Sequence, residues 1–150
     1  MVAESGSGRE AFPELARVLV VDDDPASRIT LQTLLTAGGY HVDGAATAAE
    51  AVCKMQVHEY ELVLSDLQME SPEAGLRVIA HAHLMNYQPA TALITTSWQN
   101  DAHRENESAS GRLLVATEDI PELLTHVAHL ISKRATRLVE RELRHICRNN

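Results

Sequence analysis

The chain has 150 residues, 45% of them hydrophobic, which suffices for one buried core and is too short for two domains of ordinary size. With 21 acidic against 13 basic side chains its formal charge is −8, which disfavours a phosphate backbone, and so nucleic acid, as partner of the main body. Cys53 and Cys147 have neither disulfide-framework nor zinc-site spacing, and no window approaches the ~20 apolar residues of a membrane span, so a reducing cytoplasm and no membrane partner are expected.

Residues 1–15 contain Ser5-Gly6-Ser7-Gly8 and are too small and polar to bury much surface, so a mobile arm is expected there. Val18-Leu19-Val20-Val21 then reads as a strand buried on both faces, ending in Asp22, Asp23 and Asp24. Asp24 followed by Pro25 predicts a capped helix start, with Ile29, Leu31, Leu34 and Leu35 as its apolar side and Gly38-Gly39 as its stop. His41-Val42-Asp43-Gly44-Ala45 predicts a second strand. Thr47 and Glu50 have capping-box spacing ahead of a second helix carrying Ala51, Val52 and Met55, with Cys53 expected in or near the core.

Glu61-Leu62-Val63-Leu64-Ser65-Asp66 predicts a third strand with an acid at its end, followed by a Pro72/Gly75 loop and a helix over 76–84. A fourth strand is expected at 91–96 and a fifth at Leu113-Leu114-Val115, separated by a polar stretch containing Trp98. From Pro121 on, Leu123, Leu124, Val127, Leu130 and Ile131 recur at three- and four-residue steps, the signature of an amphipathic helix. His126 and His129 on it lack nearby acids or cysteines and read as surface or packing residues.

Ala135, Leu138, Val139, Leu143 and Ile146 continue that pattern, so one helix from Pro121 to Ile146 would be about 39 Å long and project beyond the domain. Lys133, Arg134, Arg137, Arg141, Arg144 and Arg148 against Glu140 and Glu142 make this stretch +4, leaving −12 for the rest. Such a helix could pair with a second copy as a homodimer, dock on another protein or fold back on the acidic body; a frayed, solvated tail ranks behind self-association. In a dimer Arg134, Arg137, Arg141 and Arg144 would flank the seam and reach the neighbour's acidic body, weakening association at high salt.

Five strands alternating with helices predict an α/β fold with a doubly wound parallel sheet, whose site lies beyond the carboxyl ends of the strands where strand order reverses. Asp22, Asp23, Asp66 and Thr95 fall at such ends. Converging carboxylates raise one another's pKa unless a cation neutralises them, and an all-oxygen set suits Mg²⁺ rather than zinc.

Val18 to Arg28 (VLVVDDDPASR), Leu62 to Met69 (LVLSDLQM) and Leu93 to Thr95 (LIT) resemble the signature segments of response regulator receiver domains, in matching order and spacing. The resemblance covers about residues 16–132, leaving 133–150 as a basic helical extension, and implies a flavodoxin-like receiver fold. It implies that Asp66 accepts a phosphoryl group, that Asp22 and Asp23 hold Mg²⁺ directly or through water, and that Gln68 offers its backbone carbonyl. Thr95, or Thr96 if the register shifts by one, would take the switch position. The expected activity is that of a single-domain response regulator rather than a turnover enzyme, charged by a histidine kinase or phosphotransfer protein in a two-component phosphorelay.

The chain departs from that family in four places. Ala116 followed by Thr117 stands where a lysine and proline are usual, Leu113 replaces the aromatic switch residue, Glu70 replaces the proline after the Asp-x-x-Met turn, and one extra residue precedes Gly75. Arg112 lies on the wrong strand parity to substitute for the lysine. These departures feed one rival, a pseudo-receiver whose Asp66 is not phosphorylated in use. A second rival, an Asp-nucleophile phosphohydrolase, needs an Asp-x-Asp motif after the first strand, whereas adjacent aspartates stand there and the candidate nucleophile is on the third strand.

Overall fold

The computed structural model describes residues 15–67, 69–94 and 120–149. Within them four strands, β1 (Arg17–Val21), β2 (His41–Ala45), β3 (Leu62–Asp66) and β4 (Ala90–Ile94), form one parallel sheet in the order β2-β1-β3-β4. The helices are α1 (Pro25–Ala37), α2 (Ala48–Val57), α3 (Ala74–Leu84) and α4 (Ile120–Arg148). The predicted fifth strand, the polar stretch before it and residues 1–14 of the expected arm lie outside the described residues.

Strand alternation divides the core in two. Val18, Val20, Leu62, Leu64, Ala92 and Ile94 pack with Leu31 and Leu35 of α1 and Leu123 and Val127 of α4. Leu19, Val21 and Val63 face the other way, onto Ala48, Ala51 and Met55 of α2 and Ala74, Val78 and Ala82 of α3. Both faces are thus covered, which is why the central strands are apolar without alternation.

The helix starts follow local chemistry. Asp24 caps α1 by accepting the Ser27 N–H at 3.1 Å and the Ser27 hydroxyl at 2.7 Å, and these bonds hold its carboxyl below the usual range. At the other end Gly39 has φ +102, a left-handed conformation that turns the chain into β2. Thr47 accepts the Glu50 N–H at 3.1 Å, and the Glu50 carboxylate reaches back to the Ala46 N–H at 2.9 Å, a capping box displaced by one residue.

Helical phase corrects two expectations. Ile29 is 59% exposed rather than part of the apolar side of α1, because it lies two residues, roughly 200°, from buried Leu31. Cys53 is exposed for the same reason, two residues from both Ala51 and Met55. In addition, α3 begins at Ala74, so Gly75 sits in its first turn rather than in the preceding loop.

Tyr60 is fully buried and donates to Asp43 Oδ2 at 2.7 Å. Burial and the neighbouring carboxylate together push its phenol well above the ordinary tyrosine value, so the hydroxyl stays a donor. It thereby pins the entry of β3 to β2.

The 29-residue α4 packs apolar side chains on the core cluster only over its first half. Beyond Ser132 the tie to the body is polar: Arg134 Nε donates to the Gln88 carbonyl at 2.9 Å, Arg134 also donates to the Tyr87 carbonyl, and Arg141 donates to the Gln88 side chain. Gln88 has φ 45, a left-handed conformation unusual for a side-chain-bearing residue, at the turn these arginines hold. Arg134 and Arg141 thus hydrogen-bond their own domain within the subunit. Val139, Leu143 and Ile146 remain 58%, 56% and 49% exposed.

Candidate functional site

Strand order reverses between β1 and β3, so their carboxyl ends open side by side. Val21 pairs with Ser65, and the next residue on each strand path is an acid, Asp22 and Asp66. Asp22 continues the β1 path by donating its N–H to the Ala45 carbonyl at 3.0 Å, and Leu67 continues β3 by donating to the Ile94 carbonyl at 2.9 Å. The strands thus aim both acids at one point.

Asp22, Asp23 and Asp66 each present a carboxylate oxygen within 4.8 Å of the other two. They differ in access: Asp22 is 0% exposed, Asp66 7%, and Asp23 is on the surface. Asp22 Oδ1 accepts the Asp24 N–H at 3.0 Å, while the Asp22 carbonyl is held by the Arg28 guanidinium at 2.8 Å. Asp22 Oδ2 is buried with no hydrogen-bond partner.

Burial pushes the Asp22 carboxyl above its usual range, and the charges of Asp23 and Asp24 add to this, while the Asp24 N–H and the Asp66 side chain oppose it. An unsatisfied buried carboxylate oxygen facing two more carboxylates is costly unless a cation or proton is shared among them. The donors are all oxygen, so a hard divalent ion such as Mg²⁺ fits this set, whereas the sulfur and nitrogen ligands favoured by zinc are missing from it. The three acids are the only group of three or more candidate ligands among the described residues, and His126, expected to lack a nearby acid, pairs with Glu122 one turn earlier at 3.4 Å.

The floor of the site is close-packed. A Cβ on Gly75 would lie 2.4 Å from the Asp66 carbonyl oxygen, so only glycine lets α3 start this close to the end of β3. Ser65, also buried, donates to the Asp66 carbonyl at 3.3 Å. On the rim, Glu70 Oε1 accepts the Ala48 N–H at 2.9 Å. Gln68, Thr95, Thr96, Trp98, Arg112, Leu113, Ala116 and Thr117 lie outside the described residues.

The family model of the response regulator receiver domain matches residues 18–130. The chain belongs to the response regulator receiver family. It is 40% identical over 70 residues to a two-component response regulator of rice (Oryza sativa subsp. indica), a match covering 45% of this chain and 11% of the rice protein. It is 25% identical over 120 residues to the sensor protein EvgS of Escherichia coli K12, covering 79% of this chain and 10% of that protein. The chain therefore matches about a tenth of the length of these relatives.

Among solved structures, the response regulator TrrA of Thermotoga maritima, in complex with Mg²⁺-BeF, superposes with a TM-score of 0.64 at 29% identity, covering 77% of this chain and 99% of that one. The chemotaxis protein CheY4 of Vibrio cholerae superposes at 0.63 with 22% identity, covering 77% and 98%. The protein is thus a flavodoxin-like α/β receiver domain of two-component signalling, with four parallel strands among the described residues. No helix among them is long and apolar enough to cross a membrane.

For this receiver, sequence reasoning named the three acids but passed over three residues that shape their surroundings. Arg28 was inside a signature segment, six residues after Asp22, and its contact with the Asp22 carbonyl needed the first turns of α1 to be seen. Gly75, expected in a loop, carries its own signal, since a glycine shortly after a strand-terminal acid marks close backbone approach. Glu70 is marked in the sequence only by the absence of the family's usual proline.

Proposed function

We propose that this receiver accepts a phosphoryl group on Asp66 with Mg²⁺ bound at Asp22, Asp23 and Asp66, and signals through protein contacts. The observation that carries the reading is the convergence of three carboxylates at the β1/β3 edge with Asp22 Oδ2 left unsatisfied. Gln68 would add its backbone carbonyl to the cation, by analogy with the family, and Thr95 or Thr96 would take the switch position. The bound cation would offset the charge of the three acids and of the incoming phosphoryl group. Asp66 is the acid at the end of β3, so its carboxylate oxygen forms the new bond to phosphorus as the P–N bond of a phosphohistidine donor breaks and the imidazole leaves. A histidine kinase or phosphotransfer protein would supply that donor. The chain would act in the cytoplasm as a charged signal rather than as a turnover enzyme.

Intact mass after incubation with Mg²⁺ and a small phosphodonor tests this. The wild type should gain one phosphoryl group and Asp66→Asn none. Equal labelling of the variant removes Asp66 from the role. Absence of labelling in both favours the pseudo-receiver, the reading that Ala116 in place of a lysine supports.

The second proposed contact is a homodimer through α4. At ~100° per residue Val139, Leu143 and Ile146 share the side of α4 opposite Arg134 and Arg141, which hold the turn at Gln88. Each side chain is about half exposed, so burial contributes at most about 1 to 1.5 kcal/mol apiece, and association costs leave a weak dimer. Light scattering should show mass rising with concentration in the wild type and a monomer for Leu143→Glu. Arg134 and Arg141 are engaged within the subunit, which leaves Arg137 and Arg144 to reach a neighbour's acidic body, so high salt should weaken association only modestly. A monomeric wild type at every accessible concentration would count against this face.

A further inference from the structure

We infer that Glu70 is a positioning residue for the carboxylate site, tying the segment that leaves Asp66 to the first turn of α2; the inference rests on the reading that the three acids bind a divalent cation. The segment between β3 and α3 begins directly after Asp66. Its described fixings are few. Leu67 bonds to the end of β4, Met69 packs against the α2/α3 core and accepts the Ser65 hydroxyl at 3.5 Å, and the Ser71 carbonyl accepts the Ala74 N–H. Glu70 alone among these makes a hydrogen bond to α2, 22 residues earlier in the chain.

Its partner has a reason to wait for it. Ala48 is the first residue of α2, so its N–H has no acceptor within the helix. Both local caps are committed elsewhere, Thr47 to the Glu50 N–H and Glu50 to the Ala46 N–H. Ala48 is only 8% exposed, so a well-placed acceptor is worth more there than on open surface. A carboxylate at a helix N-terminus is favoured further by the positive end of the helix dipole. The family's usual proline at this position could make no such bond, so the chain exchanges a stiff backbone for a side-chain tether.

Gly75 returns the same segment beneath the Asp66 carbonyl, so movement of its middle is transmitted to the acid at both its beginning and its end. Glu70 touches neither acid nor cation and acts through this loop.

Titration calorimetry of Mg²⁺ into the full chain, alongside thermal midpoints, tests the role. Glu70→Ala should weaken Mg²⁺ binding measurably, by less than the roughly tenfold that direct hydrogen-bond partners of metal ligands contribute, because it acts only through the loop. Glu70→Gln, which keeps an oxygen acceptor for the Ala48 N–H, should restore affinity. Thr47→Ala removes the other cap of the same helix, should lower the thermal midpoint, and should leave Mg²⁺ affinity unchanged. Unaltered affinity in Glu70→Ala, equal weakening in Thr47→Ala, or failure of Glu70→Gln to rescue each overturns the inference. A wild type that takes up no Mg²⁺ overturns the reading beneath it, and the inference with it.

Discussion

Gly75→Ala should cost about 1 to 3 kcal/mol of stability and slow phosphoryl labelling of Asp66 roughly tenfold or more. The added methyl would meet the Asp66 carbonyl oxygen at 2.4 Å, with the Leu67 carbonyl next at 3.4 Å. Both obstacles are backbone, one in the last residue of a central strand, so neither can swing aside. Alanine is the better helix former by about 1 kcal/mol, which works in the opposite direction. The clash should win, because relieving it means moving either α3 off the second core cluster or the end of β3 out of register. Gly44→Ala is the matched control: its methyl would approach the side-chain amide of Gln32, which is free to rotate away, so the loss there should stay below about 1 kcal/mol. Denaturant unfolding and labelling rates on both variants check the pair. If Gly75→Ala matches the wild type in both, the close approach is not constraining Asp66.

Mg²⁺ at about a hundredfold excess over its Kd should stabilise the fold by ~2.7 kcal/mol, or roughly 5–10 °C in midpoint for a domain of this size. Asp22→Asn should abolish most of that increment and, without metal at neutral pH, should itself raise stability by about 1 to 3 kcal/mol. The cause is the same in both cases. Burial lifts the Asp22 carboxyl above its ordinary 3.8, so the folded state holds that proton more tightly than the unfolded chain does. The stability so gained is complete below pH 3.8 and is lost as pH rises through the higher folded value. Above that window the metal-free protein carries a buried charge with one oxygen unsatisfied. Thermal midpoints in EDTA and in millimolar-range Mg²⁺, for wild type and variant from mildly acid to neutral pH, measure both effects. Coincident wild-type midpoints across that range would remove the metal site.

The two results bear on different halves of one arrangement. Gly75 and Ser65 fix the backbone from which Asp66 projects, while Asp22 and Asp23 set the charge it faces. On the proposed reading, with Ala116 where receivers usually carry a lysine, defects in this arrangement should be felt more sharply than in a lysine-bearing receiver.

The alternation of strands and helices was legible in the sequence, as were Asp24-Pro25 and Thr47 with Glu50 as helix starts, because each rests on interactions within about four residues. The three acids were legible too, since a short apolar run ending in aspartate places that residue at a strand terminus wherever the strand lies. What tertiary structure alone decided is how those ends are used. It buried Asp22 while leaving Asp23 in solvent, seated Gly75 against the Asp66 carbonyl, sent Glu70 to Ala48, and turned Arg134 and Arg141 back onto the Tyr87-Gln88 turn. The polar contacts among these span 22 to 53 residues of chain. They depend on strand order and on the phase of each helix against its neighbours, where a spacing of two residues from buried positions puts Ile29 and Cys53 on the surface rather than in the expected core. Periodicity fixes the spacing along a helix, but the angle at which the helix meets the sheet is set by packing between distant segments.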